Sequence, residues 1–129
     1  MAGFSDYLEA KVLNHVFGGT AYTAPSTLYV GLYTAAPSDT GGGTEVSGGS
    51  YARKSMPAMT VSGTTQATNG AAVEFVTATG SWGTVTHCGV FDAVSSGNLL
   101  GWAALTASKA VASGDVFRFD AGDLDITLA

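Results

Sequence analysis

Four sets of residues in this 129-residue chain are of types that do chemistry: the adjacent His87 and Cys88, the C-terminal carboxylates Asp115, Asp120, Asp123 and Asp125, the glycine-rich run around Gly41, Gly42 and Gly43, and the basic pair Arg53 and Lys54. A thiolate beside an imidazolium makes a nucleophile. Neighbouring residues on a strand point to opposite faces, however, so His87 and Cys88 would not touch. Free cysteine is also among the residue types most often buried. The pair therefore reads as interior or interface material. One thiol and two histidines fall short of a zinc ligand set, and a lone cysteine forms no internal disulfide.

The four aspartates lack the ligand spacing and bidentate glutamate of a calcium-binding EF-hand loop. In Gly122–Leu128 the alternation of Asp123, Asp125 and Thr127 with Leu124, Ile126 and Leu128 is the pattern of a half-buried strand with one wet face. The run GGGTEVSGG has no lysine after its glycines and no helical pattern following, so it is not a phosphate-binding loop. Arg53 and Lys54 hold two of the five positive charges and read as an exposed strand end or a contact for an acidic partner. Trp82, Trp102, Tyr29, Tyr33 and Phe91 read as core or interface, with a sugar-stacking platform on Trp82 or Trp102 as an alternative. No nucleophile–base or paired-acid arrangement survives, so the expectation is no enzyme, no cofactor and no metal.

The elements that must position these residues are one helix and a set of short strands. Leu8, Val12, Leu13, Val16 and Phe17 recur at helical spacing within Phe4–Phe17. Ser5 is placed to cap its start, Asp6 and Glu9 lie in its first turns, and Gly18-Gly19 marks its stop. About 13 residues make a marginal helix alone, so this one must dock its apolar stripe on its own domain or on a neighbour. Residues 26–34 alternate, with Leu28, Val30 and Leu32 on one side and Tyr29, Gly31 and Tyr33 on the other. Residues 35–50 read as a long, mobile glycine-rich loop.

Further strands are expected near Tyr51–Thr60, Ala71–Thr77, Thr84–Phe91, Leu99–Leu105, Val116–Asp120 and Leu124–Leu128, separated by turn chemistry such as Asn69-Gly70 and Ser113-Gly114-Asp115. No second helical period appears, which excludes βαβ units. The expectation is a mainly β chain, an antiparallel β-sandwich or jelly-roll-like domain of about seven to eight strands. Its organisation would be a helical docking arm over residues 1–19 followed by the sandwich over residues 20–129.

Charged residues reach only 12% of the chain, against roughly 25% in an ordinary domain. With a net charge of −5 there is no electrostatic footprint for nucleic acid. No apolar stretch approaches the ~18 residues of a membrane helix, and the start MAGFSDYLEAK lacks the regions of a signal peptide, so synthesis in a bacterial cytosol is expected. Gly, Ala, Ser and Thr account for 66 residues. A chain so poor in charge leaves apolar surface for a partner, and a symmetric oligomer or a lattice seat would cover it.

The chain resembles a family of short virion proteins of tailed bacteriophages and prophages, often labelled tail fibre proteins. The resemblance runs through FSDYLEAKVLNHVFGGTAYTAP, STLYVGLYTAAPSD with GGGTEVSGGSYAR, SWGTVTHCGVFDAVSSGNLLGWAAL and SGDVFRFDAGDLDITLA. It implies a non-enzymatic structural protein at the exterior of the capsid or tail. The first expectation is a capsid decoration or cement subunit that contacts itself and the major capsid protein. The alternatives are a tail or fibre-associated adaptor bound to tail proteins, and a carbohydrate-binding module. The expected contact residues are Leu8, Val12, Val16 and Phe17 on the helix, Tyr29 and Tyr33 on the strand, and Gly41, Gly42, Gly43 and Arg53 in and after the loop.

Overall fold

The computed structural model describes residues 3–127. In order they form β1 (Gly3–Phe4), α1 (Asp6–Val16), β2 (Leu28–Ala35), β3 (Thr44–Glu45), β4 (Lys54–Met56), β5 (Thr60–Ser62), β6 (Gln66–Thr68), β7 (Val73–Glu74), β8 (Gly83–Phe91), β9 (Leu99–Val111), β10 (Arg118–Phe119) and β11 (Asp125–Thr127). Leu128, expected to close the last strand, lies outside the described residues, as do residues 1, 2 and 129 of the two expected domains.

The architecture is mainly β and antiparallel, with one helix among the described residues. The main sheet runs β1-β9-β8-β2-β3, and β4 pairs with the start of β2 on the edge that β3 occupies further along. The smaller pairings β10-β7 and β11-β6-β5 form a second layer. The period-2 pattern explains the packing between them. Val30 and Leu32 of β2, Val85, Cys88 and Val90 of β8, and Leu100 and Ala103 of β9 share one core with Val73, Phe75, Phe117, Phe119, Leu124 and Ile126 of the second layer. Phe75, Trp82, Phe117 and Phe119 meet edge to face there, the favoured geometry for aromatic pairs.

Among the described residues eleven strands stand where about seven to eight were expected, mostly because the small second-layer strands are two or three residues long and carry too few side chains to show a period. The expected strand over Tyr51–Thr60 is two, β4 and β5. Leu99–Leu105 extends to Val111, with a bulge where the β8 register jumps from His87–Ala104 to Val85–Lys109.

Residues 35–50 are more ordered than a featureless loop. Ser38 and Gly41 exchange backbone hydrogen bonds, β3 pairs with β2, and Val46 is 5% exposed. At the expected Asn69-Gly70 turn the chain bends with Gly70 exposed, while Asn69 is a buried bracket. The Asn69 side chain is 1% exposed, donates to the carbonyls of Ala71 and Asp120, and accepts from the amide of Leu124.

The helix begins where expected. The Ser5 hydroxyl accepts from the Leu8 amide and donates to the Leu99 carbonyl, while the Ser5 amide donates to Leu100. One residue therefore caps α1 and fixes it to β9. At the other end the Gly18 amide reaches back to Leu13 and Asn14, and Gly19 takes a φ of 72°. Docking covers only the first half of the helix: Tyr7 and Leu8 pack on the core, whereas Leu13, Val16 and Phe17 are 58%, 61% and 82% exposed.

Candidate functional site

The face of the main sheet turned away from the core carries the groups of greatest chemical interest. Register sets its rows: Tyr29 with Phe91 and Leu99, Gly31 with Gly89 and Trp102, and Tyr33 with His87 and Ala104. His87 and Cys88 point to opposite faces. Cys88 is 2% exposed, and burial pushes its thiol up to about 12. That thiol is inert at neutral pH. His87 bonds the Thr86 hydroxyl and lies 6.0 Å from the Trp102 ring.

Arg53 is neither an exposed strand end nor a free charge. Its Nε and Nη2 form a fork on the two oxygens of Glu45 at 2.8 Å each, and its Nη1 donates to the carbonyls of Ala93 and Ser96. The guanidinium lies 3.5 Å over the Phe91 ring, and its side chain is 9% exposed. Charge-assisted, bidentate geometry of this kind ties three segments together: β3, the residues leading into β4, and the turn between β8 and β9. The Tyr51 hydroxyl donates to the same Glu45 carboxylate and accepts from the Leu32 amide, filling the gap on the β2 edge between β3 and β4. Burial holds the Tyr51 hydroxyl far above the usual phenol range.

Above this floor opens a cleft of about 500 Å³ between the start of α1, the Asp39–Gly42 turn and the Ser96–Asn98 turn. Asp6 and Asp39 stand at its rim, joined by a bond from the Asp6 amide to the Asp39 carbonyl, and Tyr33, Phe91 and Leu99 line its base. Tyr33 is 5% exposed. Burial, then the Glu45 carboxylate, pushes that phenol up to about 12.

Of the residues named from sequence, the cleft brings together Tyr33, Gly41, Gly42 and Arg53. Tyr29 shares the face but does not line the cleft, and Gly43 packs against the backbone of Pro37. Leu8 faces an apolar groove with Phe4, Tyr22, Leu28 and Met59. Val12 is half-buried, while Val16 and Phe17 project into solvent.

Trp82 is 3% exposed and donates to the Gly49 carbonyl, so it offers no stacking platform. Trp102 is half-buried with its Nε1 on Asp39. The C-terminal aspartates cap turns: Asp115 accepts from the Ala112 amide and Asp123 from the Asp120 amide. Asp6, Asp39 and Glu45 were missed from sequence. The one available signal was a lone glutamate inside a glycine run, eight residues before an arginine, in a chain with few charges.

A family model described as podophage GP4 fiber I protein gp80 matches residues 3–127. No curated protein matches the chain.

Proposed function

The chain belongs to the podophage GP4 fiber I protein gp80 family, and from that membership we propose that it is a structural subunit of the virion's fibre apparatus, working by contact with copies of itself and with other virion proteins and not by catalysis. The family supports a structural phage protein. The observation that carries the assembly role is the second half of α1, where Leu13, Val16 and Phe17 stand exposed on a helix too short to be stable without support. A patch of this kind on a small protein is characteristic of an interaction site. Inside a repeating assembly the same patch is covered once per copy, so a modest contact is multiplied. The family description favours a fibre over the capsid-cement placement expected first, and copy number separates the two: a handful per particle for a fibre, hundreds for a capsid coat.

The test is labelling and mass-spectrometric counting of the protein in purified particles, alongside sedimentation of the wild-type chain and of the Val16→Ser, Phe17→Ser double variant. Presence at a handful of copies, with self-association weakened by the variant, is the expected result. Absence from particles would overturn the virion role, and hundreds of copies would move it to the capsid.

A further inference from the structure

The groove that Leu8 shares with Phe4, Tyr22, Leu28 and Met59 exposes no polar atom along its walls and has a volume of about 280 Å³. We infer that it is the seat for Phe17 of a second copy of this chain, in a head-to-tail contact. The inference rests on the self-assembly proposed above and names the surface that receives the helix end.

Each copy carries both halves of this contact and cannot join them itself. At about 100° and 1.5 Å per residue, the nine positions from Leu8 to Phe17 carry the side chain to the opposite side of α1 and about 13 Å along its axis. Leu8 therefore faces the groove, while Phe17, 82% exposed, points away from it. Both halves are held in place before they meet. The amides of Gly18 and Thr20 bond back to the Asn14 carbonyl, which fixes the helix end. The Tyr22 amide donates to His15 Nδ1 at 3.0 Å, which pins the groove wall to the helix. Surfaces formed in advance meet without an ordering cost.

Size, charge and area select the occupant and the form of the contact. An apolar cavity of about 150 Å³ takes a benzene ring, so the groove has room for the Phe17 ring. Past Glu9 the helix carries Lys11 and no carboxylate. Two helix ends meeting each other would set Lys11 against Lys11, whereas the groove belongs to a body of net charge −5. Leu13, Val16 and Phe17 expose on the order of 350 Å² together, so with the walls they cover each contact buries on the order of 700 Å², short of the ~1,200 Å² of a stable pair. One such contact is weak alone. A closed series of them holds every copy on two sides and supplies what a single pair lacks.

The full chain is made with Phe17→Cys and, separately, with Ala24→Cys at the exposed rim of the groove, and the two are mixed and oxidised. Disulfide-linked dimers from the mixture, with neither variant linking to itself, are expected; the native Cys88, 2% exposed, stays out of the reaction. Linking of Phe17→Cys to itself, or no link in the mixture, overturns the inference. Sedimentation gives a second measurement. Phe17→Ala, and Ala67→Leu, which fills the groove from β6, should each weaken self-association about ten- to a hundredfold. The double variant should weaken it no further, since both changes remove the same contact. Additive effects, or a wild-type chain monomeric at millimolar concentration, overturn the inference. A chain that is counted in particles and self-associates but fails the cross-link loses this contact and keeps the virion role. Absence from particles removes that role whatever the cross-link shows, so the two readings fail separately.

Discussion

Gly31 and Gly89 stand opposite one another in the β2–β8 register, and this bare pair forms a trough along the outer face of the sheet. A Cβ on Gly31 would lie 2.8 Å from both Glu45 Oε2 and Phe91 Cε1. One on Gly89 would lie 2.8 Å from Leu99 Cδ1 and 3.2 Å from both Phe91 and Tyr33. Glycine inside a strand is unfavourable by itself, and here the absent side chains let the rings and the Glu45–Arg53 pair sit against the backbone. The floor of the cleft is thus shaped by two residues that contribute no side chain to it.

Gly89→Ala should destabilise the chain by about 1–3 kcal/mol, because the new methyl meets three side chains at once, two of them buried rings. Gly31→Ala should cost a similar amount and also disturb the Arg53 fork. Urea unfolding followed by tryptophan fluorescence measures both. Stability equal to wild type in either variant would show that the trough is slack.

Glu45→Gln keeps the shape of the side chain and removes the charge that answers Arg53. The guanidinium, 9% exposed, would then keep neutral acceptors alone, one amide oxygen and two carbonyls, beside the Phe91 ring. Loss of one partner of a nearly buried pair costs about 2–4 kcal/mol. Calorimetry should record a lower melting temperature, and hydrogen exchange should rise at Ser96–Asn98, the turn that Arg53 holds.

The sequence made the helix, its Ser5 cap and the long strands legible, since each has enough residues to display a period or a cap. It also placed His87 and Cys88 on opposite faces and Leu124 and Ile126 inward. It did not reveal the second-layer strands, because two or three residues such as Val73–Glu74 hold no pattern, and their pairing is decided by what packs over them. Half of the cleft was out of reach for a related reason. Tyr33 and Arg53 stood out by residue type, but Asp6, Asp39 and Glu45 come from separate stretches that only the β2–β3 pairing and the Ser5 anchor bring together. Arg53 itself was misread because a charge beside a loop looks exposed until its fork partner is known.

Asn69→Ala should be among the costliest single polar substitutions in the chain. It removes two donors and an acceptor from a site 1% exposed, and it leaves the carbonyls of Ala71 and Asp120 and the amide of Leu124 without those partners. Buried groups stripped of partners cost about 1–3 kcal/mol each, and water entering the gap recovers part of the sum, so about 3 kcal/mol is expected. Asn69→Asp tests the direction of the bonds, since its oxygens cannot donate to the two carbonyls. It should be no better tolerated than alanine at pH 7, as chemical denaturation will show.

Alkaline pH should unfold this protein through three buried acids. The Cys88 thiol and the Tyr33 phenol are each pushed up to about 12 by burial, from unfolded values of 9.0 and 10.0, and the Tyr51 phenol is raised as well. A group whose proton is held more tightly in the folded state contributes its stability in full below the unfolded value and loses it as pH climbs toward the folded one. Stability should therefore be level up to about pH 9 and fall steadily from there toward pH 12. Tyr33→Phe removes one titrating group and leaves its ring, so the decline should flatten between pH 10 and 12. Native Cys88 should react with a disulfide reagent at pH 8 only as fast as the chain opens. Melting temperatures across pH 7–11 and thiol-labelling rates with and without urea give the two readings. A decline that begins below pH 8, or a thiol that reacts at once in the native state, would contradict the burial from which both expectations follow.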